Sequence, residues 1–417
     1  MVSTIRWTEA RTARSARSAR WYSESATPLP GRVVVADDCM KADTAYRLAC
    51  EGTALLWQGD FPNARQLLHA MRRRIDRKPP RSGDSPAETF HVHRRTRSHR
   101  ARVLSRLLVL LEADYSLALR RAPDVRQACT EAYGPPRESV AVSLTELLGV
   151  IGAHQWRHKG VEVPALGDRI HPHYGVFSPV RGEYVDLVAQ TPLPAPADHG
   201  AGARTAFDLG TGTGVLAAVL AHRGLDQIVA TDINPRALAC ARENVRRLNF
   251  TGRIDVVGPC LFPEGRADLI VCNPPWIPAR PTSAVEQGVY DPNSGMLHGF
   301  LNGLATHLEP GGEGWLILSD LAEHLGLRTR RELLTAIGAA GLHVADKTDI
   351  TPRHPRTRDT TDPLHAARSA ETTSLWRLIP SVPQVEVTAH RHGFAVDAPS
   401  MGPRRGSSAA SRSPTYG

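Results

Sequence analysis

Apolar positions along the chain follow two patterns that change near Val161. Before it, spacings of three and four dominate: Ala45, Leu48, Ala49, Leu55 and Leu56, then Ala64, Leu67, Leu68 and Met71 after a break at Gly59-Asp60-Phe61-Pro62. This predicts a helical hairpin over 43–75. Further helices are expected around 103–120, 124–133 and 139–154, so 39–160 reads as a small α-helical N-terminal domain. A linker rich in Pro, Ser, His and Arg interrupts it near 78–97. A basic leader, 1–38, precedes it, reads as disordered and ends in Val33-Val34-Val35.

From Val161 onward short apolar runs alternate with longer helical stretches. Residues 161–163 and 173–177 read as a β-hairpin, and 183–189 starts a helix. Strands are expected at 205–209, 227–232, 254–257, 269–272, 315–319, 343–350 and 374–379, with helices at 215–222, 235–248, 300–308 and 328–340. Such alternation predicts an α/β fold over 161–380, a mostly parallel, Rossmann-like sheet with helices on both faces. No clear helix joins the last two strands, so they are expected to pair as an antiparallel edge. The tail, 381–417, is rich in Pro, Ser, Gly and Arg and reads as disordered.

A chain of 417 residues has room for one large α/β domain and a smaller one. Its net charge of +9 favours acidic partners. Lys41, Lys78, Lys159 and Lys347 are the only lysines, and an arginine excess of this kind reads first as codon bias. The runs Arg72-Arg73-Arg74 and His93-Arg94-Arg95 through Arg102 fit a nucleic-acid-facing patch. They fit a solvated helix end and linker equally in kind, and that is the commoner case.

Cys39, Cys50, Cys129, Cys240, Cys260 and Cys272 show no CxxC pair and no metal-ligand spacing. Reduced, mostly buried thiols in a cytoplasmic protein, and no metal, are the expectation. The longest apolar stretch, 103–119, is interrupted by Arg106, Glu112 and Asp114, so no membrane partner is expected. The first twenty residues carry Arg6, Arg11, Arg14, Arg17 and Arg20 without the apolar core of a secretory signal. A disordered leader and an organellar transit peptide both remain open.

Candidate chemistry begins at Asp208-Leu209-Gly210-Thr211-Gly212-Thr213-Gly214, directly after the strand at 205–209. In a doubly wound sheet, ligands bind beyond the carboxyl ends of the strands. Glycines there let the backbone turn and approach a ligand closely, and the following helix aims its first N–H groups at an anion. Asp232 ends the second strand, where a carboxylate can accept both hydrogens of a ribose diol. A dinucleotide fingerprint is excluded, because the sixth position is Val215 counting from Gly210 and Ala217 counting from Gly212. The pattern instead suits S-adenosylmethionine (SAM).

Asn273-Pro274-Pro275-Trp276 follows the apolar strand at 269–272 and so belongs to the same sheet edge. Two prolines hold the turn extended and offer carbonyls without competing N–H groups. The Asn273 side-chain oxygen and the Pro274 carbonyl can both accept from one planar NH₂ group. Acceptors aimed there stabilise the positive charge that grows on nitrogen during attack. Trp276 offers a flat apolar face to a planar acceptor.

These motifs, with Thr231-Asp232-Ile233-Asn234-Pro235-Arg236-Ala237 and the continuation Ile277-Pro278, resemble class I methyltransferases of the small-methyltransferase type. Similarity covers roughly 165–380, and the release-factor glutamine-N5 methyltransferases are the family it most resembles. The resemblance implies SAM as cofactor, bound by Asp208, Gly210, Thr211, Gly212, Gly214, Asp232, Ile233, Cys260 and Asn273. It implies an acceptor site made of Asn273, Pro274, Pro275 and Trp276, a helical domain that docks a protein substrate, and a glutamine amide as methyl acceptor. Departures are Trp276, where the family usually has Tyr, Cys260, where an acidic residue near the adenine is common, and a longer N-terminal part. Gly175-Val176-Phe177-Ser178 also resembles the RNA guanine-N2 methyltransferases. Methylation of an exocyclic amine in RNA or DNA is therefore the alternative, and a catalytically silent SAM-binding protein is a third.

Overall fold

Four consecutive buried residues, Ala54-Leu55-Leu56-Trp57, replace the expected helical N-terminal domain with a sheet. The structure is a computed structural model that describes residues 3–8, 16–77, 83–194, 204–283, 285–353 and 357–381. Six N-terminal strands are β1 (Thr4–Thr8), β2 (Ala16–Trp21), β3 (Val33–Ala36), β4 (Ala54–Trp57), β5 (Leu107–Leu111) and β6 (Val140–Ser143). Their order is β1-β2-β6-β5-β4-β3, parallel across β3, β4 and β5 and antiparallel between β5 and β6. Helices α1 (Ala42–Cys50), α2 (Phe61–Asp76), α3 (Pro86–Leu104) and α4 (Arg126–Tyr133) lie between them in the chain, and α5 (Leu144–Lys159) follows β6.

The reason is burial on both faces. Leu55 and Trp57 join Ala64, Leu67 and Met71 in the core under the helices, while Ala54 and Leu56 pack with Trp7 and Trp21 on the opposite face. A short run buried on both sides reads like a helix segment when only its apolar content is counted. The same ambiguity hid β5, Leu-Leu-Val-Leu-Leu, inside the expected helix at 103–120. The expected helix at 139–154 divides at Ser143, which ends β6 and whose hydroxyl accepts from Glu146 N–H at 3.1 Å to cap α5. The expected leader contributes β1, β2 and β3. From residue 83 the expected linker is α3, capped by Ser85 with Pro86 in its first turn. Residues 1–2, 9–15, 78–82 and the tail from 382 lie outside the described residues.

Beyond α5 the expected elements appear with small shifts. The hairpin is β7 (Val161–Val163) with β8 (Asp168–Ile170) rather than 173–177, because Gly167, at φ 63°, closes a tighter turn. Then follow α6 (Glu183–Gln190), β9 (Thr205–Leu209), α7 (Val215–His222), β10 (Gln227–Thr231), α8 (Pro235–Arg247), β11 (Ile254–Val257) and β12 (Ala267–Cys272). After these come α9 (Gly295–His307), β13 (Leu308–Ser319), α10 (Leu321–His324), α11 (Arg330–Ala339), β14 (Leu342–Ile350), α12 (His365–Ser369) and β15 (Thr373–Pro380).

The seven strands run β11-β10-β9-β12-β13-β15-β14. Only β15 opposes its neighbours, lying antiparallel between β13 and β14. One face packs Val271, Trp315 and Ile317 with α6 and α7, the other packs Ile270, Cys272 and Leu316 with α9 and α11. This is the Rossmann-like, mostly parallel arrangement expected. The described residues up to Ser381 make one compact unit. Within it, Arg236 on α8 holds Glu24 at 2.8 and 2.7 Å, and Arg157 on α5 holds Glu243 on α8 at 2.6 Å. Among the described residues no helix is long and apolar enough to cross a membrane. All six cysteines are free; Cys129, Cys240 and Cys272 are buried, whereas Cys39 and Cys50 are exposed.

Candidate active site

Because β9, β10 and β12 are parallel neighbours, their carboxyl ends bring three separate motifs to one edge. The turn after β9 uses Gly210, Gly212 and Gly214 at φ 72°, 56° and 82°, a region that favours glycine. A Cβ on Gly214 would come within 3.3 Å of Ala241 on α8, and one on Gly210 would fall 2.3 Å from the Met296 methyl. Around Gly212 the space is open, with only the Gly210 carbonyl reached at 4.0 Å.

Asp208 is buried and organises this turn. Its Oδ2 accepts from the Thr211 hydroxyl at 2.6 Å and from Ala217 N–H, in the first turn of α7, at 3.0 Å. Burial pushes its carboxyl up to about 6, against the pull of those two donors. Thr211 N–H donates to the Thr231 carbonyl at 2.8 Å, which ties the turn to β10.

Asp232 follows directly. Its Oδ2 accepts from Gly212 N–H at 3.1 Å and its Oδ1 from Asn234 N–H at 2.8 Å. Burial raises its carboxyl as well. Each oxygen keeps a lone pair for a further donor. Beside it, Ile233 is 73% exposed, an unusual setting for a large apolar side chain. Cys260, half-buried, lies three residues past β11 at the same edge. Open space over Gly212, a carboxylate with spare acceptor capacity and an exposed apolar side chain next to it fit an adenosyl group with its ribose and adenine.

The acceptor turn starts one residue past β12. Pro274 is buried, while Asn273, Pro275 and Trp276 are half-buried. The Trp276 indole N–H donates to Asn273 Oδ1 at 2.9 Å, and its ring packs against the apolar layers on both faces of the sheet. The turn is then pinned from behind: Ile277 N–H donates to the Val289 carbonyl at 3.2 Å, and Asp291 N–H donates to the Ile277 carbonyl at 2.9 Å.

All the residues expected at the site therefore gather at one sheet edge, and the structure adds others. Buried Asp291 accepts from Met296 and Leu297 N–H groups at 3.0 and 3.2 Å, so it starts α9 and sets Met296 against Gly210. Asn244, also buried, donates to the Thr213 carbonyl at 3.0 Å and accepts from His171 N–H at 2.8 Å, bracing the glycine turn from α8. Helix α3 reaches over the acceptor turn. Phe90 shares a small core with Ile277, Arg94 donates to the Arg280 carbonyl at 2.6 Å, and the same guanidinium stands 3.9 Å over the Tyr290 ring. Asp291 sits in no motif, and Arg94 stands out in the sequence only as part of a basic run, with nothing in that run to place it behind the acceptor turn. Phe177 of the Gly175–Ser178 segment packs against Gly288, behind the same turn.

Residues 169–337 match the family described as Methyltransferase small domain. The chain is 35% identical over 153 residues to a release factor glutamine methyltransferase of Cereibacter sphaeroides, covering 33% of this chain and 52% of that protein. It is 34% identical over 91 residues to a ribosomal protein L11 methyltransferase of Vibrio vulnificus, covering 22% of this chain and 31% of that one. The chain thus spans about half, or less, of the length of these curated relatives. Among solved structures it is similar to a ribosomal protein L11 methylase of Lactobacillus delbrueckii subsp. bulgaricus. That likeness has a TM-score of 0.32 at 18% identity, over 48% of this chain and 79% of the other.

Proposed function

We propose that the chain is a SAM-dependent N-methyltransferase of cytoplasmic proteins whose acceptor is the side-chain amide of a glutamine. The observation that carries this reading is the placement of the Asn273–Trp276 turn beside the Asp208–Gly214 turn, on adjacent parallel strands. SAM supplies an electrophilic methyl group. The protein's part is to orient the nitrogen and to favour its charged, pyramidal form. Asn273 Oδ1, already turned by Trp276, keeps a lone pair for one hydrogen of the NH₂ group, and the Pro274 carbonyl takes the other. Holding the nitrogen in this way is most of the catalysis an amide needs. The resemblance to release factor and L11 methyltransferases supports a protein substrate.

A second reading has one observation in its favour. Helix α3, which lies against the acceptor turn, also carries the exposed Arg95, Arg97 and Arg102, as a phosphate-binding element beside a nucleobase pocket would. Tritiated SAM supplied to cell extract with the purified protein separates the two. Label released only by protease, and recovered on glutamine, is the expected result. Label released only by nuclease replaces the protein substrate with a nucleic-acid amine. Saturable SAM binding without any labelled product would make the chain a non-catalytic SAM-binding protein.

A further inference from the structure

Helices α4 and α5 pack side by side in the N-terminal layer. On α5, His154 and His158 are four residues apart and so share one helix face. Glu131 of α4 points at both. Its Oε2 lies 2.9 Å from His154 Nδ1 and its Oε1 lies 3.7 Å from His158 Nε2. The three ligand atoms fall within 4.8 Å of one another, and the two imidazole centroids are 4.3 Å apart.

We propose that Glu131, His154 and His158 form a binding site for a divalent transition-metal ion of the zinc type. Two imidazoles and a carboxylate are a donor set that suits such ions. With bonds of about 2.0–2.2 Å to a tetrahedral ion, neighbouring ligand atoms stand about 3.4 Å apart. The two separations, each to its own oxygen of Glu131, straddle that value, and within the 4.8 Å spread of the ligand atoms side-chain rotation of about an ångström closes the site. His158, 57% exposed, has the freedom to make the adjustment, and its open side leaves room for a water as fourth ligand. One positive group stands close: Arg157, 3.5 Å from Glu131. Its shorter contact, 2.6 Å, is with Glu243, a carboxylate it shares with Arg247 and His173, so its guanidinium is drawn to the far side of Glu131. A bound ion would cross-link α4 to α5. Cysteine spacing gave no sign of the site because no cysteine takes part, and the third ligand comes from another helix.

The test titrates chelator-treated full-length protein with zinc chloride in a calorimeter and with cobalt(II) in a visible spectrometer. One equivalent should bind saturably, cobalt should show the intense absorption of a low-coordinate nitrogen and oxygen site, and zinc should raise the melting temperature. His158→Ala changes an exposed side chain and should fold with an unchanged apo melting temperature. It should lower zinc affinity by about 100-fold, the upper range seen for losing even an outer-shell partner. Cys39→Ser/Cys50→Ser should bind as the parent does. Absence of saturable uptake by the parent, or uptake that His158→Ala leaves unchanged, would overturn the site. A thiolate-to-cobalt charge-transfer band would do the same.

Discussion

The indole N–H of Trp276 donates to the side-chain oxygen of Asn273 at 2.9 Å, so the aromatic residue of the acceptor turn sets the direction of its carboxamide. A tyrosine at this place has no ring N–H to offer. Trp276→Phe keeps a flat apolar ring but frees the carboxamide to turn. It should lower kcat about fivefold, a neutral hydrogen bond being worth ~1 kcal/mol, with SAM affinity unchanged. Asn273→Ala, which removes the acceptor itself, should cost on the order of 10²–10³-fold. Equal losses in the two variants would mean that Trp276 does more than orient Asn273.

Asp232 joins two tasks, bracing the glycine turn through Gly212 N–H and offering acceptors to a ribose diol. Asp232→Ala should weaken SAM binding by about 1.5–3 kcal/mol in calorimetry, the range for hydrogen bonds to a charged group. Asp232→Asn keeps one acceptor oxygen for Gly212 and should lose less. SAM affinity that survives Asp232→Ala would remove the residue from the cofactor site.

Much of this site was legible because it is local. The glycine turn, Asp232 and Asn273-Pro274-Pro275-Trp276 each follow a strand whose apolar run is bounded by turn residues, and parallel order alone brings them together. What stayed hidden depends on partners far away in the chain. The burial of Leu55 on one face and Leu56 on the other needs the helices and Trp7 in place at once. Spacing along one segment cannot register that. Likewise α3 is polar along most of its length, with only Phe90, Val103 and Leu104 buried, so its sequence looked like a linker. It is a helix bridging the N-terminal core and the acceptor turn, and that role belongs to both ends at once.

Asp208 should make stability depend on pH. Its folded-state carboxyl, near 6, lies above the ordinary value of 3.8. The folded protein therefore holds this proton more tightly, and the contribution is complete below about pH 4 and lost as pH rises through about 6. At ~1.4 kcal/mol per pH unit, the loss is about 3 kcal/mol. Both donors to Asp208 converge on Oδ2, so the amide oxygen of Asp208→Asn can keep both bonds without burying a charge. In urea titrations from pH 4 to pH 7 the variant should lack that decline and be the more stable protein at pH 7. Parallel curves for parent and variant would show that the charge on Asp208 costs nothing.

Arg236 is four residues past Asp232 and clamps α8 to the N-terminal layer through Glu24, which also accepts from the Tyr22 hydroxyl. Removing the guanidinium leaves Glu24 facing Glu146, whose carboxyl burial already pushes up to about 7. Breaking a fully buried pair costs 3–5 kcal/mol, and with Arg236 about a third exposed the expected loss for Arg236→Ala is about 2–3 kcal/mol. Arg236→Lys should recover only part of it, since lysine cannot reproduce the two-pronged contact. A chemical denaturation midpoint equal to the parent's would mean the clamp is a surface pair.

Arg94 links the N-terminal layer to the acceptor side alone. It touches the Arg280 carbonyl, the Tyr290 ring and, at 3.7 Å, the Glu286 carboxylate, all beyond the Asn273 turn, and no residue of the glycine turn. Tyr290 in turn precedes Asp291, whose N–H holds Ile277. Loss of the guanidinium should therefore loosen the floor behind Trp276 and leave the cofactor side as it was. Arg94→Ala is expected to raise KM for the methyl acceptor several-fold, with SAM affinity unchanged in calorimetry. Arg94→Lys keeps the charge but not the planar stacking, so it should resemble the alanine variant. A lysine that restores KM would shift the role of Arg94 from stacking on Tyr290 to its charge pairing with Glu286, 3.7 Å away, and Glu286→Gln would then raise KM as well.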